Sequence, residues 1–206
     1  MRSEDEVRAE CKAQGLRIKR NNFLAAILSG GVLAWISLHF FPHSKASLAG
    51  GFVAGFFYAN AFEYALHRFV LHSGSGIFFH QHMVHHTTLN APEAARYVNF
   101  SSNPLGVVAL FFANAAPFLI LDSIFRTGWS AGMFVAFTLY YIAFEEIHWR
   151  THMAGGLPKR LRFAARHHLL HHAHETGEYN VFLPLCDWLV GSLQPRSGAS
   201  QNAARR

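Results

Sequence analysis

The chain has 206 residues, of which 51% are hydrophobic and 15% aromatic, with 20 Phe, whereas only 15% are charged. Soluble domains carry about a quarter charged residues, so this balance argues against a soluble protein, and the length suits one domain. The formal charge of +6 does not indicate nucleic-acid binding, because the basic residues bracket apolar runs and do not gather on one face with aromatics between them.

The opening "SEDE" places Ser3 and Glu6 at capping-box spacing and predicts a short surface helix over residues 4–15. The mixed charge of residues 1–22 does not resemble a signal peptide. Four apolar runs follow, at 23–41, 46–62, 104–121 and 128–144. Each falls near the 17–25 residues of a bilayer-spanning helix, and all are rich in the small residues that let helices pack closely in lipid. Pro117 predicts a kink in the third. None of the four shows the polar face of a helix in a soluble bundle. The expected fold is all-α: an integral membrane bundle of four transmembrane helices with a cytoplasmic, helical, histidine-rich cap. Residues 23–192 are read as the membrane domain and 193–206 as a disordered basic tail. Cys11 and Cys186 lie far apart in no recognisable framework and are expected to be free thiols.

Charge sets the orientation. Lys45 and Arg126 are the only basic residues in the hairpin links "PHSK" and "DSIFRT", while the other sixteen of the eighteen Lys and Arg lie in the termini and the middle segment. Positive residues stay cytoplasmic, so both termini and residues 67–103 are expected on that side. Asp122, near the opposite end, reads as an interfacial carboxylate.

Fifteen histidines are present, and thirteen fall on the expected cytoplasmic side, after the second and fourth runs. Only His39 and His43 lie at the far end. Ten of the thirteen form four groups: "HRFVLH" (His67, His72), "HMVHH" (His82, His85, His86), "HWRTH" (His148, His152) and "HLLHH" (His168, His171, His172). Residues at i, i+3 and i+4 share a helix face, so the last three groups are each expected to aim their rings one way. His67 and His72 would diverge by about 140° on a continuous α-helix; either they serve different ions or the helix ends between them. Neutral imidazole is the commonest protein metal ligand, and ten are too many for one ion and suit two. Without cysteine or carboxylate in the groups, the donor set fits iron, zinc or copper better than a thiolate zinc site.

In these residues the sequence resembles the fatty acid hydroxylase / sterol desaturase superfamily of membrane di-iron oxygenases. The family pattern is H-x4-H, H-x2-H-H, H-x3-H and H-x2-H-H, and the resemblance runs from about Glu63 to Ser192. Beyond the last group, "EYNVFLPLCDWLVGS" keeps Asn180, Asp187, Leu189 and Gly191 of the family ending but has Cys186, Val190 and Ser192 where the family has Trp, Phe and Thr. The resemblance implies that the ten histidines named above bind two irons, with zinc able to replace iron in a purified sample. His80, His167 and His174 stand outside the pattern.

Ligating histidines donate their second N–H to a carboxylate or carbonyl. Glu63, Glu145, Asp187 and Asn180 are the candidates for such outer contacts; alternatively Glu63 and Glu145 pair with Arg68 and Arg150. The resemblance further implies hydroxylation or desaturation of a membrane lipid with O2. The H-x3-H third group looks most like a fatty acid hydroxylase, with sterol and carotenoid enzymes of the superfamily as alternatives. Residues 1–22 are too short for a fused cytochrome, so electrons are expected from a separate cytochrome, ferredoxin or reductase. An acyl groove is expected among Phe52, Phe56, Phe57, Phe111, Phe112 and Phe137. A different class, a non-enzymatic membrane metal protein such as a transporter, would place its ligands near the bilayer midplane, where these runs carry no histidine.

Overall fold

The computed structural model describes residues 2–153, 155–174 and 176–194, so most of the expected basic tail lies outside the described residues. Among the described residues the structure is helical with no strand. Seven α-helices occur in chain order: α1 (Glu4–Phe40), α2 (Lys45–Ala65), α3 (Ile77–Thr87), α4 (Pro104–Phe125), α5 (Ser130–His152), α6 (Arg162–His174) and α7 (Leu185–Val190).

The N-terminus differs from expectation. The capping box forms, with the Glu6 N–H donating to Ser3 Oγ at 3.3 Å and the Ser3 N–H to Glu6 Oε2 at 2.8 Å. The helix that it starts does not stop near residue 15 but runs unbroken through the first apolar run, 37 residues in all. Nothing between Leu16 and Phe23 breaks a helix, and tertiary contacts hold this stretch down. Asn22 donates to the Ser101 carbonyl at 2.9 Å, Asn99 to the Gly15 carbonyl at 3.0 Å, and Arg96 to Gln14 at 3.0 Å. Gly15 permits the approach, since a Cβ there would lie 2.2 Å from the Ala95 carbonyl oxygen. The stretch of α1 from Gln14 to Asn22 thus clamps the segment before α4.

α5 is the central element, packed against α1, α2 and α4. Phe111, Phe118, Phe134 and Phe137 interlock between α4 and α5. Small residues bring α2 and α5 close: a Cβ on Gly51 would sit 2.1 Å from the Trp129 carbonyl oxygen. Tyr58 on α2 donates to Asn114 on α4 at 2.7 Å, satisfying two polar groups inside an apolar bundle. Pro117 lies within α4 without ending it.

The two hairpin links meet at one end of the bundle, where Gly128 packs against Pro42 and His43. Asp122 belongs to this end, and it is buried within the protein rather than exposed. It accepts from Thr127 Oγ1 at 2.9 Å, the Gly128 N–H at 2.6 Å and the Ser130 N–H at 3.0 Å, so it fastens the α4–α5 turn. At the opposite end α3 packs on the turn Leu66–Leu71 that follows α2, α6 packs on α5 and α7 on α2. The histidine groups lie there, on that turn and its end, on α3, on the last turns of α5 and on α6.

Among the described residues two helices, α1 and α4, are long and apolar enough to cross a membrane. α2 and α5 have the length and less of the apolarity. The outward faces of all four remain apolar, with Leu28, Trp35, Phe57, Phe112, Ile124 and Leu139 exposed.

Candidate metal centre

The first histidine pair solves a geometric problem that the spacing alone poses. Between α2 and His72 the chain winds as a π-helix over Leu66–Leu71, and the His72 N–H donates to the His67 carbonyl at 3.1 Å. A π-turn closes between i and i+5, so residues five apart return to one face. The two rings do not diverge; their centroids stand 5.1 Å apart.

The ten grouped histidines gather into two sets of five, the ring nitrogens of each set lying within 4.8 Å of one another. One set is His67, His72, His82, His86 and His171; the other is His85, His148, His152, His168 and His172. The triads therefore do not each aim one way. From α3, His82 and His86 enter the first set and His85 the second; from α6, His168 and His172 enter the second set and His171 the first. Each helix feeds both sets, and the sets abut, with His86 and His172 stacked at 4.1 Å between centroids.

The contacts inside each set fit a cation. His82 Nε2 lies 3.0 Å from His67 Nε2, 3.0 Å from His72 Nε2 and 3.1 Å from His86 Nε2. In the second set, His168 Nε2 lies 2.9 Å from His152 Nε2 and 3.1 Å from His172 Nε2. A neutral ring nitrogen either donates one hydrogen or accepts with one lone pair, so hydrogen bonding cannot satisfy three such neighbours at once. Two nitrogens bound at right angles, each about 2.1 Å from one ion, stand about 3.0 Å apart. His171 Nε2 lies 2.9 Å from His72 Nε2 and His148 Nε2 3.1 Å from His85 Nε2, so by this test all ten rings could hold first-row transition ions.

Their protonation agrees. Burial lowers every one of the ten: His72, His152 and His171 to about 4, His86 to about 3, and the others also below the ordinary value. At neutral pH the rings are neutral and keep a lone pair for a metal. The unfolded chain protonates its histidines near pH 6.5, whereas the folded chain refuses those protons. The unfolded state then binds more protons below pH 6.5, and the metal-free protein is expected to lose stability as pH falls from about 6.5 toward 4. Thermal melts of metal-free protein across that range test this, and a flat profile contradicts it.

The outer contacts differ from the expected ones. No carboxylate among the described residues bonds to a grouped imidazole. Two backbone carbonyls do so: His67 Nδ1–H donates to the Tyr179 carbonyl, and His171 Nδ1–H to that of Gly177 at 2.7 Å. The candidate acids bond elsewhere: Asp187 and Glu63 hold the backbone around Tyr179, and Glu145 holds Phe100 and Tyr141. Asp187 accepts from the Tyr179 and Asn180 N–H groups, both at 2.8 Å, and from Ser192 Oγ at 2.7 Å. Glu63 accepts from Tyr140 Oη at 2.6 Å, Asn180 Nδ2 at 2.9 Å and the Val181 N–H at 2.7 Å. Glu145 accepts from the Phe100 N–H at 2.9 Å and Tyr141 Oη at 3.0 Å. Pairing of Glu63 with Arg68 and Glu145 with Arg150 does not occur either: Arg68 bonds to Tyr64, and Arg150 to Glu146. His167 bonds to Asp187 at 3.0 Å outside both sets, and His80 and His174 are exposed away from them.

An apolar cavity of about 790 Å³, open mouth included, reaches both sets. His67 and His82 line it from the first and His85 and His148 from the second; Phe62, Phe100, Leu110, Phe137 and Tyr141 form part of its wall. Of the six phenylalanines expected to form a groove only Phe137 takes part. Phe52, Phe57 and Phe112 face outward, Phe111 is locked in the core, and Phe56 packs against that core. Sequence reasoning missed Tyr140 and Tyr141, which hold the buried glutamates, and the carbonyls of Gly177 and Tyr179, which have no side-chain signature.

The family model for fatty acid hydroxylases matches residues 52–192. A solved structure, full-length scs7p with only the hydroxylase domain visible, matches with a TM-score of 0.57 and 20% identity over 84% of this chain and 64% of that one. At that identity the likeness concerns the fold, and this chain spans somewhat less than two thirds of the other. No curated protein matches the chain.

Proposed function

Since the chain belongs to the fatty acid hydroxylase family, we propose that it is a membrane di-iron monooxygenase that hydroxylates a lipid C–H bond, most directly on a fatty acyl chain. The observation that carries this reading is the cavity whose apolar wall ends on four histidines, two from each set. A metal-storage or scaffold protein has no need of an apolar chamber facing both ions.

Two irons held by the two sets would supply the oxidation of an unactivated C–H bond by O2, with two electrons from outside. The chain supplies the rest. Phe62, Phe100, Leu110 and Phe137 bind and align an acyl chain and exclude water. Neutral Nε2 atoms face inward because Nδ1 of His67 and of His171 is committed to a carbonyl. Glu63 and Asp187 hold the segment that presents those carbonyls.

In this reading residues 23–192 form the membrane domain, and α1, α2, α4 and α5 span the bilayer. Their apolar outward faces support it, because soluble monomers seldom expose so much apolar surface. At about 1.5 Å per residue, α1 is about 55 Å long, so its first turns project beyond a hydrocarbon core of about 30 Å. The charge distribution supports a cytoplasmic side for those turns, the ten grouped histidines and both termini. The basic face there suits an acidic, separate electron carrier. Iron is the metal of the reaction, and zinc can occupy the same nitrogens.

Purified protein supplied with O2, a reductant and a fatty acyl lipid is expected to form hydroxylated lipid. Leu110→Trp, which fills the cavity, is expected to lower turnover at least about tenfold while bound metal is unchanged. Turnover that persists in this variant, or that needs no O2, contradicts the proposal.

A further inference from the structure

The two histidine sets are built alike but braced differently. In the first, both rings that have an outer contact use carbonyls of one short strap: Tyr179 for His67 and Gly177 for His171. The strap is fixed at several points. Asp187 receives the Tyr179 and Asn180 N–H groups, Asn180 Nδ2 reaches the Asn60 carbonyl at 3.0 Å, and the Glu178 N–H reaches the Ser192 carbonyl at 3.3 Å. In the second set, Nδ1 of His148, His152, His168 and His172 is buried with no hydrogen-bond partner among the described residues. His148 faces the Val98 carbonyl without reaching bonding geometry. In the first set only the Nδ1 of His86 is in that condition.

This difference bears on metal affinity. A carbonyl that accepts from Nδ1–H fixes the tautomer, aims Nε2 at the ion and makes the ring a better donor; losing such a contact typically lowers metal affinity about 10–100-fold. A ring without one divides its population between tautomers and leaves a buried N–H unpaired. We infer that the two sites are unequal: the site of His67, His72, His82, His86 and His171, braced by the Gly177–Asn180 strap through Asp187, holds its ion more tightly and fills first. This rests on the reading of both sets as metal sites. Asp187 is then a positioning residue that acts through the Tyr179 carbonyl.

Stepwise uptake alone does not test the inference, because the charge of a first ion weakens a second at any pair of neighbouring sites. Single-site variants remove that effect. Metal-free protein in detergent is titrated with zinc against a chromophoric chelator. His152→Ala disables the second site and reports the first; His72→Ala disables the first and reports the second. The remaining site is expected to bind zinc at least about tenfold more tightly in His152→Ala than in His72→Ala. Adding Asp187→Asn is expected to erase most of that advantage in His152→Ala and to change the affinity of His72→Ala less than about twofold. Equal affinities in the two single variants, or the reverse order, overturn the inference and leave the hydroxylase reading standing. Failure of the unsubstituted protein to take up any metal overturns both. If Asp187→Asn does not fold, the comparison of His72→Ala with His152→Ala still decides the order.

Discussion

His85→Ala and His171→Ala are each expected to abolish lipid hydroxylation, with turnover down by more than about a hundredfold. Each residue is the one in its triad that crosses over. His85 leaves the α3 pair His82 and His86 to join His148, His152, His168 and His172; His171 leaves the α6 pair His168 and His172 to join His67, His72, His82 and His86. Both rings are buried, His171 fully and His85 on the wall of the apolar cavity, so a water taking up the vacated position has to leave bulk solvent for an apolar site. Loss of an outer contact to a ligand already lowers affinity about 10–100-fold, and loss of the ligand itself is expected to exceed that. Metal analysis beside the turnover assay checks the assignment: each variant is expected to retain less than two equivalents. Either variant turning over at the unsubstituted rate with full metal contradicts it.

The second large effect is on stability. Glu63→Ala removes an acceptor that serves Tyr140 Oη, Asn180 Nδ2 and the Val181 N–H, together with a longer contact from the Phe182 N–H at 3.3 Å. Those donors stay buried without a partner, at about 1–3 kcal/mol each when no water replaces the carboxylate. Allowing for relaxation, a loss of about 3–5 kcal/mol is expected, in the range of other broken buried charge networks. For a chain of this size that corresponds to a midpoint lower by about 10 °C. Glu63→Gln keeps one acceptor oxygen and is expected to lose roughly half as much. Detergent-phase thermal melts measure both, and a Glu63→Ala midpoint within about 2 °C of the unsubstituted protein contradicts the role given to this residue.

Several features of the site are legible in the chain and others are not, for physical reasons. The grouping of ten imidazoles at one end of the bundle follows from their spacing and from the run of apolar segments, and the structure brings all ten together. How they divide does not follow. On an α-helix, i+3 and i+4 lie on opposite sides of i, so a triad can supply one site or straddle two, and only the position of neighbouring helices decides. The separation of His67 from His72 reads as a divergence because an α-helix is the default; the π-turn that reunites them has no composition signal.

The glutamates illustrate a related limit. Glu63 stands four residues before His67, a spacing that suits a direct contact, yet its carboxylate turns to the Val181 backbone. Local register predicts which residues are near one another along a helix and is silent on a strap arriving more than a hundred residues later. Apolar helices hide their orientation as well. With little polar face on the four apolar runs, nothing in the sequence separates Phe137, which lines the cavity, from Phe57, which faces outward. The capping box at Ser3 and Glu6 fixes where α1 begins, but its continuation to Phe40 depends on contacts with the segment around Asn99.

The central claim is that ten imidazoles hold a pair of transition ions. Metal quantification of the purified protein, with X-ray absorption at the metal edge on the same sample, tests it most directly. Two equivalents per chain are expected, in a shell of nitrogen and oxygen donors at about 2.0–2.2 Å. One equivalent or fewer at saturation, or sulfur in the shell at about 2.3 Å, would contradict it.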